Sequence, residues 1–417
     1  MLHSSSMPIP QSQTTHFLKD IMRQPGELKR TLDHFSGAGQ GALDAVATAV
    51  RAARHVYLSG IGSSWHAGLN VAALFQVGGR PVYLVDAAEL VQFAAIPAGA
   101  VLIVISRSGR SVEIVQLLAK ARESGATVIG ITNAADGALA REAQIAIVVP
   151  VALDHAISVN TYTTLALAAG ILADSVTGEG TAFPQGLKPN AATSSMSDLK
   201  VRPPNDARLA DSPSGRVASS EGSTGTSASA TGSLTDLLSG ALAAAGNAIT
   251  GWQAQIENSE WLAPRSTIYF LARGSSLGSA YEARLMWEEG VKSPATAMGA
   301  ASFRHGPQEI VQKDMRFGIW IDGARMREQD LALARDLRKL GARVMLIGQR
   351  LPPDAGDLVF QLPEIPSEWQ FLIDIIPAQL VAERLARLSG SDPDTFRLCS
   401  FVVEDEAGLL PGEKPTR

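Results

Sequence analysis

VLIVISRSGRS, residues 101–111, joins a short apolar run to a turn built from serine, glycine and arginine. The run is continuous and rich in β-branched residues, as a strand buried on both faces requires. The turn, Ser106-Arg107-Ser108-Gly109-Arg110-Ser111, passes at once into a helical pattern over residues 112–124. Strand, tight turn and helix in that order make an α/β unit. The turn also gathers hydroxyl and N–H donors at a helix N-terminus, where partial positive charge favours a phosphate oxygen. A plainer reading is a Ser/Gly turn that only caps the helix. Three serines within six residues exceed what one cap needs.

Outward from this stretch, further strands are expected at residues 55–59, 81–85, 127–131 and 145–149. Helical patterns at 43–54, 67–77, 137–143 and 161–175 lie around and between them. Apolar strands alternating with helices predict a parallel sheet covered on both faces. Residues 1–40 read as an N-terminal arm, with short helices over 15–35 broken at Pro25-Gly26. The first domain then spans 41–185. Residues 186–233 are rich in Ser, Ala, Gly, Thr and Pro and read as a flexible linker.

A second domain, 234–388, repeats the first. Val56-Tyr57-Leu58 leading to Gly62-Ser63-Ser64 matches Ile268-Tyr269-Phe270 leading to Gly274-Ser275-Ser276. Gly125-Ala126-Thr127-Val128 matches Gly341-Ala342-Arg343-Val344 at nearly the same spacing, roughly 210 residues. The expected architecture is two tandem three-layer α/β/α domains, each a flavodoxin-like doubly wound parallel sheet. Residues 367–388 read as one long helix carrying Pro377, and 389–417 as a C-terminal tail. The copies differ where it matters. In place of the serine turn the second has Gly318-Ile319-Trp320-Ile321-Asp322-Gly323-Ala324-Arg325, in which Asp322 would repel phosphate.

At 417 residues the chain is long enough for two cores. A net charge of −5 and a pI near 5.9 give no basic field for nucleic acid. No apolar run is long enough to span a membrane, and the N-terminus lacks the order of a secretory signal, so a cytoplasmic protein is expected. The single cysteine, Cys399, excludes intrachain disulfides and multi-cysteine metal sites and reads as an inert packing residue. Neither a metal nor a cofactor is expected.

Gly60-Ile61-Gly62-Ser63-Ser64 begins like a dinucleotide fingerprint, and Asp86 ends the next strand. Trp65 holds the third glycine position, so Gly62 is better read as a tight turn that faces amides and Ser64 toward an anion. Ser106, Ser108 and Ser111, with Ser64 on the neighbouring strand, could then converge at the C-terminal edge of the sheet, with Arg107 adding a charge or pointing to solvent. In the second half Glu289, in LMWEEGV, and His305, in SFRHGPQEI, are each ordinary alone. Together a carboxylate and an imidazole are what proton transfer beside a carbonyl needs near neutral pH.

SGIGSS, VISRSGRS, DHAISVNTYTT (154–164) and FRHGP together resemble the tandem sugar isomerase (SIS) domain family. The likeness is strongest to the isomerase half of glucosamine-6-phosphate synthase. Stand-alone relatives are glucosamine-6-phosphate deaminases of the isomerase type and fructosamine-6-phosphate deglycases. The resemblance implies a phosphosugar held by Ser64, Ser106, Ser108 and Ser111, with Arg107 where the synthase usually has glutamine and Ser158 lining the sugar. It implies Glu289 as the base that moves a proton between C1 and C2. It implies His305 as the histidine that assists ring opening from the partner subunit of a homodimer. The synthase's lysines are replaced by Met286 and, about the imine-forming position, Ser400; Lys292 and Lys313 do not match them. No glutaminase domain to supply ammonia is expected. The expected function is isomerisation of an amino-sugar or fructosamine 6-phosphate coupled to deamination or deglycation. The alternative is a non-catalytic phosphosugar sensor.

Overall fold

In the computed structural model, residues 14–177, 233–264 and 266–405 are described. The linker expected at 186–233 lies outside them except for Ser233. α1 (His16–Phe35) and α2 (Gln40–Ala52) lead into β1 (Val56–Gly60). Then come α3 (Ser63–Val77), β2 (Tyr83–Asp86), α4 (Ala87–Gln92), β3 (Val101–Ser106) and α5 (Val112–Ser124). β4 (Thr127–Thr132), α6 (Ala138–Glu142), β5 (Ile145–Val148) and α7 (Asn160–Thr177) complete the first half. The second runs through α8 (Leu234–Glu257), β6 (Ile268–Ala272), α9 (Leu277–Met286), β7 (Ala295–Gly299) and α10 (Ala300–Phe303). It continues with β8 (Arg316–Trp320), α11 (Arg327–Lys339), β9 (Arg343–Gly348), β10 (Leu358–Gln361) and α12 (Ile375–Leu388).

Each half is a five-stranded parallel sheet, and the strand order is the same: β2-β1-β3-β4-β5 and β7-β6-β8-β9-β10. This is the doubly wound order expected from the sequence. β3 explains why its run is uninterrupted. Leu102 and Val104 face a core beneath α4–α6, while Val101, Ile103 and Ile105 face the opposite core. That second core is shared. Residues of both sheets, together with α1, α2, α3, α7, α8, α9 and α12, belong to one continuous apolar cluster. α10 and α11 cover the far face of the second sheet.

Three local expectations are corrected. Residues 15–35 form one helix through Pro25, not short pieces. An interior proline costs about 3 kcal/mol in helix propensity. Here Phe17, Ile21, Leu28, Leu32 and Phe35 bury one face of α1 in the shared core, and Gln379 donates to the Gln24 carboxamide at 3.0 Å. Residues 367–388 are not one helix. A 3-10 turn, Ser367–Leu372, precedes α12, which places Pro377 in the first turn of α12, where its missing N–H has no helical partner to lose. Finally, Ser64 is not on a strand: α3 starts at Ser63, straight after Gly62.

Candidate active site

In a doubly wound sheet the connections after the two strands at the switch point run to opposite faces and leave a crevice between them. Here those strands are β1 and β3. β1 is followed by Gly62, whose φ of 55° is in the region glycine alone adopts readily. That turn puts Ser63 and Ser64 at the N-terminus of α3. β3 is followed by residues 106–111, where Gly109 has φ 61° and a Cβ would lie 2.9 Å from that of Leu139. The Ser106 hydroxyl accepts from Gly109 N–H at 3.1 Å and the Ser108 hydroxyl from Arg110 N–H at 3.2 Å, so both also brace the turn. Ser111 occupies the N-cap of α5 but makes no side-chain capping bond. The plain capping reading therefore fails at the residue best placed to satisfy it.

These elements enclose a cavity of about 220 Å³. Ser64, Ser106, Arg107, Ser108, Ser111, Ser158 and Glu289 all line it. His305 does not; it is exposed beyond α10, its N–H donating to Ser302 O at 3.1 Å. Ser158 is held by a loop that the buried Asp154 carboxylate organises. That carboxylate accepts from the backbone N–H groups of Val159, Asn160 and Thr161 at 2.9–3.0 Å, and from the Thr161 hydroxyl at 2.7 Å.

Glu289 comes from the second half, on a π-helical turn, Trp287–Val291, that extends α9. Such turns swing a side chain off the regular helical path. Its pKa is raised to about 7, chiefly by burial and then by the Glu282 carboxylate, against the pull of Arg107 and Lys292. Arg107 faces inward rather than to solvent. Its guanidinium donates to the Ser158 hydroxyl at 3.0 Å and to Phe401 O at 2.5 Å, and lies 4.0 Å from the Phe401 ring centroid. Burial lowers its pKa, with Asp154 and Glu289 opposing the shift.

The sequence reading treated the C-terminal tail as peripheral apart from Ser400. It roofs the cavity. Phe396, Cys399, Ser400, Phe401, Val402 and Val403 line it, so Cys399 is at the site and not an isolated packing residue. Asp394 accepts from His16 and Phe17 N–H at the start of α1 at 2.7 and 2.8 Å. Lys292 donates to Thr395 O at 2.9 Å and to Glu289 O. Val403 O accepts from Val112 N–H at 3.0 Å. Neither Lys292 nor Lys313 lines the cavity, and Met286 is fully buried in the core.

Sequence reasoning also missed a buried polar group behind the cavity wall. Glu282 and His66 are almost wholly buried, with His66 Nδ1 2.7 Å from Glu282 Oε2. The Ser63 hydroxyl, on the cavity wall, donates to Glu282 Oε1 at 2.9 Å. The usable signal was the seven-residue spacing of Glu282 and Glu289, two turns of one helix face.

The second copy shows what happens when such a crevice is abandoned. After β8 the Asp322 carboxylate itself accepts the loop N–H groups of Ala324, Arg325 and Met326, at 3.1, 3.2 and 3.0 Å. Beside it the Ser276 hydroxyl, equivalent to Ser64, donates to the buried Asp374 carboxylate at 2.6 Å. The donors that would meet an anion are already satisfied.

Two parallel doubly wound sheets with a serine-lined crevice in the first define the class, and residues 49–173 match the SIS domain family model. Residues 49–173 thus form a SIS domain. The chain is 24% identical over 400 residues to the glutamine–fructose-6-phosphate aminotransferase (isomerizing) of Pyrobaculum aerophilum, covering 94% of this chain and 58% of the relative. The chain thus spans a little over half the length of the curated relatives it matches. Its fold is that of the C-terminal domain of a glucosamine-fructose-6-phosphate aminotransferase from Francisella tularensis (TM-score 0.72, 19% identity, 92% and 99% of the two chains). It is also that of a glucosamine-6-phosphate deaminase from Thermotoga maritima (TM-score 0.68, 19% identity, 93% and 99%). Among the described residues no helix is long and apolar enough to cross a membrane.

Proposed function

We propose that this chain is a cytoplasmic phosphosugar isomerase acting on an amino-sugar or fructosamine 6-phosphate, with isomerisation coupled to deamination or deglycation. The observation that carries the reading is one cavity holding a serine-rich turn at a helix N-terminus and a carboxyl group with a pKa of about 7. Ser64, Ser106, Ser108 and Ser111 hold the phosphate, and Ser158 lines the sugar. Glu289 takes a proton from the carbon beside the carbonyl and returns it to the neighbouring carbon. A base with that pKa is well matched to both steps near neutral pH. His305, exposed here, acts on ring opening in the cavity of a second copy of the chain within a homodimer.

Among the described residues no lysine lines the cavity, so imine formation with the chain is not part of the reading. The same observation supports the second reading, a phosphosugar sensor without turnover. Glucosamine 6-phosphate and a panel of ketosamine phosphates separate the two. The enzyme reading expects amine release and solvent deuterium at the carbon next to the carbonyl, both abolished in Glu289→Gln while binding persists. Thermal stabilisation by a phosphosugar with no exchange and no turnover would leave the sensor. A ligand at 100 times its Kd adds about 2.7 kcal/mol.

A further inference from the structure

Aldose–ketose isomerisation moves two kinds of proton. One leaves a carbon and goes to the next; the other leaves a hydroxyl as the carbonyl oxygen gains one. Glu289 answers for the first, and nothing in its geometry answers for the second. We propose that Ser63, Glu282 and His66 form a relay for the oxygen-bound proton. This rests on the isomerase reading of the same cavity.

The placement is particular. Ser63 is on the cavity wall at the N-terminus of α3, and its hydroxyl proton is committed to Glu282 at 2.9 Å. A serine whose proton points away presents lone pairs to the cavity, so it accepts from a substrate O–H. Behind it, Glu282 shares a second contact, 2.7 Å, with His66 Nδ1. Both groups are sealed from solvent by the packing of α3 on α9, with the Tyr281 ring 5.9 Å from that of His66. Met286, where the resemblance implies a lysine, lies on the same helix and offers no proton.

The balance closes without an outside reactant. The C–H electron pair becomes the C=C bond of an enediolate as Glu289 takes the proton, and the carbonyl π pair moves to oxygen. The neighbouring hydroxyl gives its proton to the Ser63 oxygen, whose own proton passes to the Glu282–His66 pair, and the pair returns a proton through Ser63 to the first oxygen. The second C=O forms, and Glu289 returns its proton to the adjacent carbon. One oxygen-bound proton enters the relay for each that leaves.

The test is the ratio of carbon-bound deuterium exchange to net aldose–ketose conversion, measured on the full chain with the phosphosugar panel. Exchange needs only an enediolate; conversion needs the oxygen-bound proton as well. Ser63→Ala should reduce conversion by about a hundredfold while exchange changes severalfold at most, and Ser63→Thr should restore conversion. His66→Gln keeps a hydrogen bond to Glu282 without a titratable ring and should show the same split. Equal loss of both rates in Ser63→Ala and His66→Gln, with Glu289→Gln behaving as assigned, would overturn the relay and leave the isomerase reading standing. Absence of exchange in the unaltered chain would overturn both.

Discussion

Glu289 shows how one side chain is tuned by where a helix turn puts it. Burial and Glu282 penalise its charged form, so its folded pKa of about 7 lies above the usual carboxyl value of 4.5. Exchange should rise with pH through that value, since the ionised form is the base. The same shift weakens the fold. The folded state binds the proton more tightly than the unfolded state, so the stability tied to protonated Glu289 is lost as pH rises from about 4.5 to 7. Glu289→Gln, a neutral mimic, should therefore melt higher than the parent at pH 8 and about level with it at pH 4, while losing exchange. A lower melting temperature at pH 8 would contradict the assignment. Arg107 pulls the same carboxyl down. Arg107→Gln should move the acid limb of the exchange profile to higher pH; an unmoved limb would mean that solvent screens the two charges.

At the scale of elements, α3 and α9 bring the two halves of the site together, and their crossing depends on Gly278. A Cβ there would lie 2.1 Å from Asn70 Oδ1 and 2.3 Å from His66 O. The second of these is backbone, so α3 itself would have to move. Gly278→Ala should destabilise the protein by about 1–3 kcal/mol and weaken phosphosugar binding, because α3 carries Ser63 and Ser64 and α9 leads to Glu289. Unfolding and binding titrations unaffected by the change would show that the crossing tolerates separation. Elements also mark where the sequence was legible. β3, its turn and α5 were readable because strand, glycine turn and helix N-terminus are local signals. Pro25 misled because its helix is held by distant partners such as Gln379, and Pro377 because one residue of register separates a kink from a permitted first turn. The roof formed by residues 396–403 and the Glu282–His66 pair left no local pattern. Each depends on which segments the fold brings together from distant parts of the chain.

At the scale of the whole molecule, the two sheets share one core, and several carboxyl groups are wholly or partly buried in the folded chain. Asp20, Asp174, Asp330 and Glu368 have pKa values raised chiefly by burial, Asp374 is raised to about 6 and Glu289 to about 7. All of these shifts have the same sign. The folded chain holds protons that the unfolded chain releases, so its stability should fall as pH rises through the window from about 4 to 7. The urea midpoint should accordingly be higher at pH 5 than at pH 7.5. Asp374→Asn, which can still accept from Ser276, should flatten the part of that slope below about pH 6, and Glu289→Gln the part approaching 7. Because the core is continuous across both halves, the transition should also be single. Five of the six tryptophans, all but Trp65, lie in the second half, so fluorescence weights that half while far-UV circular dichroism reports both. Coincident curves are expected at each pH. A midpoint that rises with pH would mean that the buried carboxyls are stabilised by partners in their charged form, and separated curves would mean that the shared core does not bind the halves into one folding unit.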